Sequence, residues 1–309
     1  MPMQRLPRKA AALVLMLLAL AVAAGWAWQQ LGRPWGVQAV IFTPASQQCG
    51  QEGLLRYCVH RAAGGVNGDV VYHLHGRNLE AESWNDPSYF TAMVQAYWQK
   101  AGWLPPTVIS LSYGPVWLLA PKGQAEHSGL LNSIWPAISA IEVRVGKPRR
   151  RLLMGESMGG LNSLVLGLSH PQHFDKVAAL CPAVYLESPF APLGQIREAM
   201  VRTGAQPSIA FGIWQLSRRY VASAEEWRRF SPLALIEGDA VQEARPSLYL
   251  SAGLYDRYGL YEGTERLAQR AAQRGLPPRP PCAAGRESGR SIRARRNRPV
   301  RAGGRRGAG

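Results

Sequence analysis

The chain has 309 residues, of which 47% are hydrophobic and 18% charged, with four cysteines and a formal net charge of +16. Such a composition excludes a disordered polymer, a collagen-like fibre and a small disulfide-dense scaffold, and it leaves room for one sizeable core. The charge says little about partners, because residues 277–309, with ten arginines and one glutamate, carry +9 of it and leave +7 for everything before them.

Arg5, Arg8 and Lys9 precede an uncharged, mostly apolar run from Ala10 to Trp28. A basic region followed by an apolar core is the pattern of an export signal. Ala21 to Ala24 offer small residues for cleavage. The run, at about 19 residues, is also long enough to cross a bilayer uncleaved, with Trp26 and Trp28 placed like interfacial aromatics. Residues 1–30 are therefore expected to be a signal peptide or a membrane anchor. The body should lie outside the cytoplasm, membrane-anchored or free in a periplasmic or extracellular space. Cys49 and Cys58 flank a short loop that enters a strand, and in an oxidising compartment a disulfide between them is expected, contributing about 2–3 kcal/mol.

The body, residues 36–276, shows no internal repeat and no linker, and has the size of one domain. Strands are expected at Val37–Phe42, Tyr57–His60, Asp69–Leu74, Thr107–Ser112, Arg151–Met154, Val177–Cys181 and Ser247–Ser251. Helical spacing of apolar residues falls between them, around Tyr89–Lys100, Ile134–Val145, Gly160–Leu168 and Glu262–Arg274. This alternation predicts an α/β fold, a mainly parallel sheet with helices on both faces and antiparallel early strands. Cys181, in an apolar strand, is expected to be buried and inert. Residues 182–245 exceed a simple crossover. Two readings of this segment are open: a cap over a site, or a stretch whose Trp214, Tyr220 and Trp227 are ordinary core aromatics.

Three stretches carry chemistry. Asp69 to Arg77 reads as a strand running into a His75-Gly76 turn, a source of backbone N–H groups for an oxyanion hole. Arg77 would supply one N–H and Met158 the other. The side chain of His75 is expected to tie down the loop. Gly155-Glu156-Ser157-Met158-Gly159 has a strand before it and a helix after it, the context of a nucleophile elbow that lifts Ser157 clear of the sheet. Pro246 to Gly253 is a strand-like run followed by a loop that places Asp256 where an acid would orient a histidine. Asp239 and Glu237 are weaker rivals.

These stretches, with Ser169-His170-Pro171-Gln172-His173-Phe174 after the elbow helix, resemble the α/β-hydrolase branch that includes esterase D, bacterial feruloyl esterases and the antigen 85 mycolyltransferases. The resemblance covers the chain from about Val37 to Leu276. It implies an α/β-hydrolase fold and a serine ester hydrolase with a small-molecule ester substrate, using no metal or other cofactor. No nucleic-acid partner is implied, since the body has no basic stripe or binding motif.

Family members would carry the catalytic base on a loop some tens of residues after the acid. All six histidines here, His60, His73, His75, His127, His170 and His173, precede Asp256. His170 and His173 sit at the far end of the elbow helix, roughly 15 Å from Ser157 at 1.5 Å per residue. No catalytic histidine is found. From Pro277 the composition turns to Arg, Gly, Pro and Ala where a final strand is due, and such a segment cannot bury a core. Residues 277–309 could be a shifted reading frame, a basic arm, or the tail of an inactivated homologue. The expectation is a serine esterase crippled by loss of its histidine, the alternatives being an inactive binding or scaffold protein or an acyltransferase.

Overall fold

The computed structural model describes residues 8–32, 40–116, 130–254 and 256–278. Chain contacts divide it into two units, residues 1–41 and 42–309. The first holds helix α1 (Arg8–Gly32), whose side chains are described for residues 14–26 and are exposed. Among the described residues no helix is long and apolar enough to cross a membrane, so the transmembrane expectation finds no support in the structure.

The second unit is built on a sheet of seven strands: β1 (Ser46–Glu52), β2 (Leu55–Arg61), β3 (Val70–Leu74), β4 (Thr107–Ser112), β5 (Arg151–Glu156), β6 (Lys176–Leu180) and β7 (Ser247–Ser251). Their spatial order is β1-β2-β4-β3-β5-β6-β7. β1 and β2 form a hairpin in which Cys49 faces Cys58, and β2 runs antiparallel to β4. From β4 onward every pairing is parallel. Parallel strands need crossovers, here supplied by α2 (Phe90–Lys100), α3 (Leu130–Val145) and α4 (Met158–Ser169). Between β6 and β7 lie α5 (Leu193–Thr203), α6 (Pro207–Tyr220), α7 (Ala224–Phe230), α8 (Pro232–Leu235) and α9 (Asp239–Ala244), and α10 (Tyr261–Gln273) follows β7.

Side chains alternate across the sheet, as the two-residue period of a strand dictates. Val70, Tyr72 and Leu74 of β3 join the main core with Ile134, Ile138 and Ile141 of α3 and the apolar face of α4. Val71 and Val108 pack on the opposite face against Trp84, Val94 and Trp98. At 2.5 kcal/mol or so per large apolar side chain, this burial drives the fold.

Two expectations change here. The strand expected at Val37–Phe42 is not seen: residues 37–39 lie outside the described residues and 40–42 have no regular structure. The first strand is instead the polar, mostly exposed β1, held by hairpin pairing rather than by apolar burial. Cys181 is not a buried strand residue. The strand ends at Leu180, and Cys181 is exposed with φ 43°, because the chain turns there into Pro182.

Candidate active site

The carboxyl ends of three adjacent parallel strands meet at one place. β5 runs into Ser157, β6 into Cys181, and β7 into the loop carrying Asp256. Hydrogen bonds tie the three together: Ser157 N–H to the Leu180 carbonyl at 2.9 Å, Cys181 N–H to the Ser251 carbonyl at 2.6 Å, and Ala183 N–H to the Ser157 carbonyl at 3.1 Å.

Ser157 stands at φ 53° and ψ −115°, a left-handed conformation that costs a non-glycine residue about 1–3 kcal/mol and is held only when its surroundings impose it. The surroundings are visible. A methyl group on Gly159 would sit 1.8 Å from the Leu74 carbonyl oxygen, and one on Gly155 would sit 2.4 Å from Gly159 backbone atoms. The turn closes onto the end of β3 only because both flanking residues lack a side chain. Ser157 is half-buried, and α4 starts directly behind it.

Glu156, one residue earlier, locks the neighbouring loop. One carboxylate oxygen accepts from the Gly76 N–H, and the other accepts from His73 Nε2 at 3.1 Å. His73 Nδ1 then accepts from the Ser110 hydroxyl at 2.9 Å, since an ionised carboxylate only accepts. The Tyr89 hydroxyl lies close by. Burial, and after it the charge of Glu156, push its pKa up. No motif drew attention to Glu156; the one signal was a charged residue inside a buried turn.

The loop after β3 divides its backbone N–H groups accordingly. Gly76 gives its N–H to Glu156, which leaves Arg77, exposed in the turn before Asn78 at φ 65°. Among the described residues neither the Arg77 N–H nor the Met158 N–H meets a backbone or side-chain acceptor.

The described histidines are occupied elsewhere. His75 donates from Nδ1 to the Gly76 carbonyl at 2.7 Å and accepts at Nε2 from Ser112 Oγ at 3.1 Å. Its ring stacks on Tyr113, and burial lowers its pKa, so it ties down the loop as expected. His60 is buried on the opposite face beside Trp84. His170 caps the far end of α4, and His173 stacks on Trp135. His127 lies outside the described residues.

Asp256 holds its own loop. Its two carboxylate oxygens accept from the Tyr258 N–H at 2.9 Å and the Leu260 N–H at 3.0 Å. The rival Asp239 begins α9, and Glu237 pairs with Arg270 and Arg274. Cys49 and Cys58 form a disulfide. With Glu82 they are the one group of metal-ligand type among the described residues, and sulfurs already bonded to each other are not thiolate ligands.

The segment after β6 reaches over this end of the sheet. Tyr220 Oη donates to the Pro115 carbonyl at 2.9 Å, and Gln206 N–H donates to the Arg257 carbonyl at 2.8 Å. Tyr220 and Trp227 belong to the core, whereas Trp214 lines a cavity beside the Asp256 loop.

A parallel sheet with a strained serine between β5 and α4 and helices on both faces defines the α/β-hydrolase class. Residues 128–279, just under half of the chain, match the family model described as "Putative esterase", a resemblance to the carboxylic ester hydrolases. No curated protein matches it. Among solved structures it is similar to an arylesterase, at 18% identity over 78% of this chain and 77% of that one with a TM-score of 0.55. A ferulic acid esterase is similar at 15% identity over 77% and 88%, TM-score 0.51. The Francisella virulence factor BioJ is similar at 15% identity over 83% and 78%, TM-score 0.53. Likeness at these identities shows the fold.

Proposed function

We propose that Ser157 is the nucleophile of a serine ester hydrolase, with the Met158 and Arg77 N–H groups as its oxyanion hole and Asp256 as the acid of the triad. The observation that carries this reading is the Ser157 turn: a strained serine, glycines on either side that admit no methyl, and a neighbouring carboxylate that fixes the oxyanion loop. Ser157 Oγ would attack the ester carbonyl and form an acyl-enzyme, a histidine would take its proton, and Asp256 would hold that histidine's tautomer. Water would release the acid; an alcohol in its place would make the protein an acyltransferase.

A second reading, an inactive binding or scaffold protein, is favoured by one specific observation. Each described histidine is buried or bonded in a structural role, and 277–309 contains none. Without a base, turnover falls by on the order of 10⁴- to 10⁶-fold. Residues 1–30 are proposed to direct the chain out of the cytoplasm, as a cleaved signal or as an anchor.

The test compares p-nitrophenyl acetate turnover by this chain with that of a chain whose residues 277–309 are replaced by a histidine-bearing esterase C-terminus. We expect turnover only in the second, and its loss on Ser157→Ala with the fold intact. Turnover that survives Ser157→Ala would reject the nucleophile.

A further inference from the structure

We infer that the end of the sheet where its parallel strands begin, with the exposed Trp103 and Leu104 set among lysines and arginines, docks on a bilayer of anionic phospholipid. Docking does not depend on the ester-hydrolase reading. Where both hold, the Ser157 turn, at the carboxyl ends of the same strands, lies on the side away from the lipid.

Three loops build this face. Residues 62–69 lead into β3, 101–106 into β4 and 146–150 into β5, and parallel pairing brings all three to one end of the sheet. Hydrogen bonds join them. Asn67 N–H donates to the Pro105 carbonyl at 3.0 Å, Asn67 Nδ2 to the Leu104 carbonyl at 3.0 Å, and Arg149 N–H to the Gly68 carbonyl at 2.8 Å.

The apolar part of the face consists of large side chains left outside the core. Gly102, at φ 65°, follows the end of α2 in a left-handed turn, the conformation that stops a helix. Trp103 is then 58% exposed and Leu104 57%. Met93 and Tyr97, four residues apart on α2 and therefore on one side of it, are 58% and 46% exposed. The Tyr97 and Trp103 rings meet edge to face, with centroids 5.4 Å apart. A cavity of about 480 Å³ adjoins Trp103 and Leu104, lined also by Trp98, Pro105 and Pro106, so this corner is not packed as a core. Exposed apolar side chains scattered singly need no explanation. Four that adjoin, two of them amphipathic aromatics, have the composition of a membrane interface.

Charge selects the lipid. Residues 61–69, 97–106 and 146–150 contain five basic residues and one acidic one. That one, Asp69, is shared by Arg149 and Arg150. Lys100 and Lys147 are exposed, and neither forms an ion pair among the described residues. Asp175 accepts from the Arg151 N–H at 2.8 Å and offsets one more charge, which still leaves the face positive. Apolar side chains within a basic surround suit an anionic bilayer, where each cation near the surface strengthens binding about fivefold.

The test follows amide exchange by mass spectrometry in the full chain, free and with vesicles of phosphatidylglycerol and phosphatidylcholine in equal parts. Reading exchange peptide by peptide separates this face from any hold that residues 1–30 have on the vesicle. Amides of 62–68 and 101–104 should slow several-fold, and those of 256–260 should not change. Vesicles of phosphatidylcholine alone should give a smaller effect. Trp103→Ser with Leu104→Ser should abolish the slowing, with exchange in β3 reporting that the fold persists. Lys100→Gln with Lys147→Gln, which keeps the apolar side chains, should raise the lipid needed for half the effect by on the order of tenfold. Exchange unchanged by vesicles, equal slowing in the serine variant, or slowing centred on 256–260 would overturn the inference. Slowing that appears without vesicles as protein concentration rises would overturn it in favour of a second copy of the chain.

Discussion

Ser157 owes its position to atoms that are missing from its neighbours. A methyl on Gly159 would fall 1.8 Å from the Leu74 carbonyl oxygen, a distance no small shift relieves, because that oxygen belongs to a central strand. Gly159→Ala should therefore destabilise the fold by at least about 3 kcal/mol, measured by urea unfolding. A change within 0.5 kcal/mol or so, the range of an ordinary surface site, would mean the turn is looser than it looks. Glu156 acts on the same scale. Its carboxylate joins the Gly76 N–H and His73, so Glu156→Ala should cost about 2 kcal/mol, through two charge-assisted donors left unpaired. A Glu156→Gln variant, which keeps one acceptor, should lie between the two.

At the level of elements, the β1–β2 hairpin shows what a disulfide does for a polar edge. β1 has little apolar burial of its own, and Cys49 lies directly across from Cys58. Reduction, or Cys49→Ser with Cys58→Ser, should lower stability by about 2–3 kcal/mol and speed amide exchange in β1 more than in β3. Exchange in β1 that reduction leaves unchanged, or speeds no more than in β3, would contradict this. The same hairpin marks the limit of what sequence could reveal. β4 and β7 are legible to the residue, because Thr107–Ser112 and Ser247–Ser251 are apolar runs bounded by proline and small residues. β1 is not, because Ser-Gln-Gln-Cys-Gly-Gln-Glu has no apolar period and pairs only through its partner. The elbow was legible because its chemistry is local: glycines, a serine, a strand before and a helix after. The Glu156 clamp was not, since it joins residues 80 positions apart. Cys181 was misplaced by a single position, where an apolar run continues in sequence after the strand has ended in space.

For the whole molecule, buried histidines set the response to acid. His60 is 1% exposed, and burial lowers its pKa to about 4, with the Ala81 backbone offsetting part of this. A depressed imidazole favours the folded state when neutral. Its contribution is full above about 6.5, the unfolded value, and is lost progressively as pH falls toward about 4, a loss of about 3 kcal/mol. His75, lowered in the same direction, adds to it. Unfolding measured between pH 7 and 4 should show stability falling below about 6.5, with a shallower fall in His60→Leu. Asp69 acts later. Its carboxylate, held at about 2 chiefly by Arg150, sustains the fold until pH drops below the ordinary carboxylate range. We propose a poised serine that none of the described histidines serves as a base. The measurement that tests it most directly is fluorophosphonate labelling of Ser157, read by peptide mass spectrometry, in this chain and in the chain with a histidine-bearing C-terminus. The account predicts rapid labelling of Ser157 in the second and labelling slower by on the order of 10³-fold or more in the first. Equal labelling of both would contradict the missing base, and no labelling of either would contradict the nucleophile.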